Sequence, residues 1–166
     1  MPSAHLPSAV AGFFTLLLLF AATTALSDNI ASSREGSPIT KLDDIDLRQI
    51  KVTAGEMELF ITLNNSKAAE DLMKMLPLRL QTIERNRFAK GFRLPQALSS
   101  GEPRTRAYEI GGFGYWPEGP DLAIFYDDIY EQTIVEVIPL GKIGEGAEAL
   151  SNYDGEVVFE AVNEKG

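Results

Sequence analysis

From Ile45 the chain alternates apolar and polar positions: Ile45 and Leu47, then Ile50 and Val52, and beyond the Ala54-Gly55 turn Met57, Leu59, Ile61 and Leu63. A period of two on both sides of a short loop predicts a β-hairpin. Asn64-Asn65-Ser66 then offers capping side chains. The following KAAEDLMKML predicts a short amphipathic helix with Ala69, Leu72, Met73 and Leu76 on one face, stopped by Pro77. Met73 and Met75 read as core fillers rather than a binding surface. Alternation resumes in LRLQTIER, with Leu78, Leu80 and Thr82 on one face and Arg79, Gln81 and Ile83 on the other. The stretch NRFAKGFRLPQALSSGEPRTR is read as a surface loop, because it is rich in turn residues and Pro95 and Pro103 interrupt pairing. Short strands are predicted at Tyr108 to Ile110, Gly114 to Trp116, Leu122 to Tyr126 and Thr133 to Leu140. A helical turn at Gly146 to Leu150 and a strand at Glu156 to Val162 complete the pattern. Many short strands, one good helix and frequent Gly/Pro turns predict a mainly β fold whose sheet closes on itself, since closure removes exposed edges.

The first part of the chain follows another pattern. AVAGFFTLLLLFAATTAL, Ala9 to Leu26, is an uncharged apolar run that ends in small residues. It reads as a secretory signal peptide cut after Ala25, with Thr23 and Ala25 at the small-residue positions. The alternative is an uncleaved membrane anchor, since the run is just long enough to span a bilayer and the preceding MPSAHLPS has no Lys or Arg. With no cysteine in the chain, a lipoprotein anchor is excluded. Residues 26–44 are rich in Ser, Asp and Gly without periodicity and read as a flexible tether. The expected organisation is a leader at 1–25, a tether at 26–44 and one domain at 45–163. The expected location is secreted or periplasmic.

Composition narrows the chemistry. The chain has 166 residues, 15 Lys+Arg and 24 Asp+Glu, for a net charge of −9. Such a surface repels phosphate backbones and anionic headgroups, so no nucleic-acid partner is expected, and no membrane partner unless the leader stays uncut. The charge is unevenly spread: Arg79 to Arg106 carries seven basic and two acidic residues (+5), whereas Ala107 onward carries two basic and thirteen acidic (−11). Mutual neutralisation through solvated pairs is the ordinary reading of such halves, and a local anion-binding surface is the functional one. The absence of cysteine also removes disulfides, thiolate catalysis and Cys-based metal sites. The sole histidine, His5, lies in the leader and no G-x-S-x-G occurs, so Ser/His and Cys/His hydrolase sites cannot be assembled. Two acidic clusters, Asp43/Asp44/Asp46 and Asp127/Asp128/Glu131, lack the spacing and central glycine of a calcium loop. No metal or cofactor is expected.

The segment GGFGYWPEGPDLAIFYDD, Gly111 to Asp128, concentrates glycine, proline and aromatic residues. It is no dinucleotide fingerprint, because Pro117 stands where the third glycine belongs and a strand pattern follows where a helix is required. A phosphate-binding P-loop is excluded as well, since Gly-Lys-Ser/Thr occurs nowhere. The segment reads as strand, turn, strand, with Leu122, Ile124 and Tyr126 on one face and Ala123 and Phe125 on the other.

Several stretches taken together resemble the small bacterial cyclophilin-like domain family. They are G-x-G-Y-W-P-x-G-x-x-L-A-I-F-Y, the downstream IPLGKI (Ile138 to Ile143), the hairpin and helix ending in Leu76-Pro77, and Lys90-Gly91-Phe92-Arg93-Leu94-Pro95. The resemblance spans about Ile45 to Ala161. It implies a closed cyclophilin-like β-barrel of about eight strands with one short helix, and it brings no catalytic residues with it.

Prolyl isomerisation needs an apolar pocket for the ring and a guanidinium that weakens amide resonance at the proline nitrogen. Arg79, Arg85, Arg87 and Arg93 and several aromatics are available, yet the Phe-His-Arg, Met-x-Gln-Gly-Gly and Ser-Gln-Phe-Phe stretches of true cyclophilins have no counterpart. Catalysis is therefore assigned to no residue. Trp116, a large amphipathic ring beside a turn, is the first candidate for ligand contact, followed by Arg93, Tyr115 and Arg87. The leading expectation is a secreted or envelope-facing barrel that binds a peptide or small ligand without turning it over. A divergent proline isomerase and a membrane-tethered interaction domain are the alternatives.

Overall fold

The computed structural model describes residues 48–162. The leader, the tether and the first positions of the expected opening strand, Ile45 and Leu47, lie outside the described residues. Nine strands run β1 (Gln49–Ala54), β2 (Met57–Leu63), β3 (Leu78–Gln81), β4 (Ile83–Arg85), β5 (Ala89–Arg93), β6 (Gly112–Trp116), β7 (Asp121–Phe125), β8 (Ile138–Ile143) and β9 (Glu156–Ala161). One α-helix, α1 (Lys67–Met75), follows β2, and a 3₁₀ turn (Ala147–Asn152) precedes β9.

The expected hairpin forms with Val52 opposite Leu59 and Ile50 opposite Ile61. Gly55 supplies the left-handed φ of 64° that its turn requires. Ser66 caps α1, its hydroxyl accepting from the Ala69 N–H at 3.1 Å, and the helix buries Ala68, Ala69 and Leu72. Met73 and Met75 pack against the core from the edge of that face.

All strand pairs are antiparallel, in the order β3-β9-β1-β2-β8-β6-β7-β5-β4. The two outermost strands are consecutive halves of one run, which explains how the sheet nearly closes. Leu78–Gln81 pairs with β9, and after Thr82 the chain switches partner so that Ile83–Arg85 pairs with β5. Thr82 holds this switch point: its N–H donates to Gly155 O at 2.9 Å, and its hydroxyl accepts from the Gly155 N–H at 2.9 Å. Counted as one kinked strand, β3 and β4 bring the barrel to the expected eight.

Three expectations are corrected. The stretch read as a surface loop contains β5, whose Ala89, Lys90, Gly91 and Phe92 are all buried between β4 and β7. Its charge hid it: Lys90 points inward and is satisfied there by Glu84, its Nζ 2.7 Å from Oε2. Tyr108 to Ile110 is not a strand. The strand expected from Thr133 begins only at Ile138, because Thr133–Val137 leaves the sheet and is tied to the 105–106 segment instead, through a Thr105–Val137 bridge and Arg106–Thr133 backbone bonding.

A candidate ligand groove on the outer face of the barrel

The register of β5, β7 and β6 sets out three rows of outward-facing residues. One row is Arg93, Asp121 and Trp116; the next is Gly91, Ala123 and Gly114; in the third, Ala89 lies opposite Phe125. The middle row has almost no side chain, while the rows on either side carry large ones. A hollow of about 210 Å³ results.

The chain then builds walls around this floor. Arg85, on β4, extends across Gly91; a Cβ there would come within 2.8 Å of the guanidine Nε. Opposite, Val137 covers Gly114, its Cγ2 3.2 Å from where a Cβ would stand. Trp116 closes one end and Phe88 with Phe125 the other, while Ile134 and Val135 form the rim. Gly119 shapes the Trp116 end, since a Cβ on it would lie 2.6 Å from indole Cε3 and 2.8 Å from the Asp121 nitrogen. The turn fits beneath the indole only as glycine.

The wall that carries Val137 is a second layer stitched to the barrel. The Tyr108 hydroxyl donates to Tyr130 O at 2.7 Å and accepts from the Tyr130 N–H at 3.0 Å. Phe88 stacks on Phe125 with centroids 5.7 Å apart and meets Tyr108 and Tyr130 edge-on at 5.1 and 5.3 Å. The rim beyond this cluster is apolar yet open to water, Ile134 being 62% exposed.

Asp121 lies at the charged end of the groove and is only 3% exposed. Arg85 donates to its Oδ2 and Arg93 to its Oδ1. A buried carboxylate needs such partners, and two guanidiniums leave it fully satisfied. Glu118, in the turn that follows Trp116, is held below its ordinary carboxylate range chiefly by the hydrogen bond from Arg104, at 2.6 Å.

The four residues singled out in the sequence separate in space. Trp116 lines the groove. Arg93 lies beside it in the same row and acts on it through Asp121. Tyr115 faces the interior with no exposure, and its hydroxyl accepts from the Leu98 N–H at 3.0 Å, anchoring the chain that leaves β5. Arg87 occupies the β4–β5 turn at a left-handed φ of 61°, and its N–H donates to Glu84. Arg85 is the groove arginine that the sequence did not single out. Its signal lay in register, immediately before the turn and facing the Gly91 side, and that register required β5 to be recognised.

At the β4–β5 end of the barrel, buried Lys90 and Tyr126 form a second polar cluster with the exposed Glu84. Partial burial works against ionised Glu84, but hydrogen bonds from Lys90 and Tyr126 outweigh it and keep the carboxyl below its ordinary value. Each member is partnered, with Tyr126 Oη donating to Glu84 Oε1 at 2.8 Å. This is a structural clamp on the β4–β5 end.

The sequence of residues 52–161 matches the family described as the cyclophilin-like family. The chain belongs to the cyclophilin-like family. Among solved structures it is similar to the solution structure of the hypothetical protein AF2241 from Archaeoglobus fulgidus, with a TM-score of 0.59 and 18% identity over 69% of this chain and 95% of that one. It is also similar to McbB, solved in complex with tryptophan, with a TM-score of 0.50 and 14% identity over 71% of this chain and 46% of that one. At these identities the likeness establishes the barrel and nothing of its chemistry. No curated protein matches the cyclophilin-like chain by sequence.

Proposed function

We propose that this cyclophilin-like domain is a binding module that seats one small, ring-bearing apolar ligand in the outer groove. The observation that carries this reading is the row Gly91–Ala123–Gly114 enclosed by Trp116, Phe88, Phe125, Val137 and the Arg85 stem. A sheet face left bare in the middle and walled at its edges forms a concave apolar site with a few polar groups at one end, the usual form of a small-ligand site. Its volume, about 210 Å³, is below the roughly 300–1,000 Å³ of sites for drug-sized molecules, so it suits a single ring with a short tail. McbB, which binds tryptophan, offers a ring-bearing small ligand of comparable chemistry and supports the reading.

Trp116 is the sole tryptophan, so its fluorescence reports on the groove directly. Titration with the neutral probe 3-phenylpropanamide is expected to give a saturable change with Kd on the order of 0.1–1 mM, as about eleven heavy atoms allow. Ala123→Leu, which fills the floor, abolishes it. A response that never saturates, or one that Ala123→Leu leaves intact, contradicts the proposal.

An isomerase reading is favoured by one observation, the Arg85 guanidinium beside an apolar hollow. The binding reading predicts no acceleration in a protease-coupled prolyl-peptide assay, and acceleration lost in Arg85→Gln would replace it. Export remains part of the proposal: the apolar run at 9–26 directs the domain across a membrane and is removed near Ala25. N-terminal sequencing of the mature protein tests this, and a start at Met1 contradicts it.

A further inference from the structure

The charged end of the groove specifies more than an apolar ring, and this step rests on the binding reading above. Two arginines converge on one carboxylate. Asp121 is buried and carries a single negative charge, whereas Arg85 and Arg93 each carry a positive one. Arg93 and Asp121 face each other across adjacent strands and neutralise one another. Arg85, reaching over Gly91 from the other side, is left as surplus charge, and of these two arginines it is the one that lines the groove. Its side chain is 36% exposed. Among the described residues, each guanidinium has only Asp121 as an ion-pair partner. Arg85 and Asp121 are, among the described residues, the only charged ones that line the hollow.

We infer that the groove selects a small free carboxylic acid: a ring or branched apolar group placed over Ala123, joined by a short chain to a carboxylate that meets the outward N–H groups of Arg85. The apolar walls exclude water around the ring, and the guanidinium fork is already held in place by its bond to buried Asp121, so little side-chain entropy is lost when the anion docks. Arg93 has a positioning role. By cancelling Asp121 it makes Arg85 a net cation, although it does not itself line the groove.

The probes 3-phenylpropionate and 3-phenylpropanamide are nearly the same in shape and differ in charge. Titrated against Trp116 fluorescence in the wild-type chain at low salt, the propionate is expected to bind about tenfold more tightly, the size of one partly exposed charge-assisted hydrogen-bonded pair. Added salt narrows the gap. Arg85→Gln brings the two probes to near-equal affinity. Arg93→Gln does the same through Asp121, whereas Asp121→Asn widens the preference beyond wild type. Should Arg85→Gln fail to fold, the Arg93 and Asp121 variants make the same test from opposite directions. Equal binding of both probes by the wild type overturns selection of an acid and leaves the groove reading intact. Binding of neither overturns both. An undiminished preference in Arg85→Gln and Arg93→Gln places the anion elsewhere and overturns the inference.

Discussion

Strands β5, β7 and β6 display two faces made from alternating residues of the same short segments, and the two are filled on opposite principles. Inward, Phe92, Leu122, Ile124, Phe113 and Tyr115 are at most 1% exposed and pack with Phe159, Ile50 and Ile61 from across the barrel. Outward, the middle row is Gly91, Ala123 and Gly114, and its neighbours are an ion pair, an indole and two phenyl rings. Apart from Lys90, the inner face of these strands is filled with apolar and aromatic volume. The outer face keeps a hollow and surrounds it with groups suited to recognition. The comparison teaches that stability and binding are separable here by residue parity, so substitutions one position apart along β7 should have different consequences.

The largest expected effect is on the inner face. Phe92→Ala should lose about 3–5 kcal/mol and Ile124→Ala about 2–5 kcal/mol in denaturant unfolding, since each leaves a cavity among fixed neighbours. One residue away from Ile124, Ala123→Leu should change stability by less than about 1 kcal/mol, because it adds volume on the open side. It should nevertheless remove the fluorescence response to ligand. Comparable losses of stability at positions 123 and 124 would dissolve the distinction between the faces.

Smaller effects sharpen the same boundary. Arg87 holds a left-handed φ of 61° with no demand on its side chain from the groove. Arg87→Gly should therefore stabilise the domain by roughly 0.5–1 kcal/mol, the relief of αL strain less the entropy of glycine, and leave ligand affinity unchanged. A fall in affinity would extend the site to the β4–β5 turn. The smallest effect appears only in alkali. Burial, and then the hydrogen bond and charge of Glu84, push the Tyr126 hydroxyl from 10.0 up to about 12. Because the folded value lies above the unfolded one, the contribution of Tyr126 is whole below pH 10.0 and is lost as pH rises toward about 12. Tyr126→Phe should flatten the decline in unfolding free energy across that window, and an unchanged slope would contradict the clamp on β4–β5.

Much of the barrel was legible because its inner face obeys a simple rule. Met57 to Leu63 and Leu122 to Tyr126 alternate as half-buried strands must, and Ser66 and Pro77 bracket the helix by capping and by the missing N–H. β5 escaped notice for an equally physical reason. Gly91 and Lys90 are poor strand signals taken alone, and only pairing explains them: glycine makes room for Arg85, and lysine is neutralised by Glu84 from the adjoining strand. The groove was half legible. Trp116 stands out beside its turn, but the small middle row exists only once β5 is placed in register with the β6–β7 hairpin, and Arg85 becomes distinguishable from Arg87 only because it stands on β4 whereas Arg87 stands in the turn that follows. Tyr115 and Trp116 look alike in sequence and differ by one step of the pleat, which sends the first into the core and the second to the groove.

The most direct test of the central claim is methyl NMR of the whole chain during titration with 3-phenylpropanamide. The account predicts that the methyl signals of Ala123, Ile134, Val135 and Val137 shift together and saturate with one Kd, while those of Ile124, Ile61 and Leu140 on the inner side stay in place. Shifts confined to another part of the surface, or equal shifts of Ala123 and its interior neighbour Ile124, would contradict it.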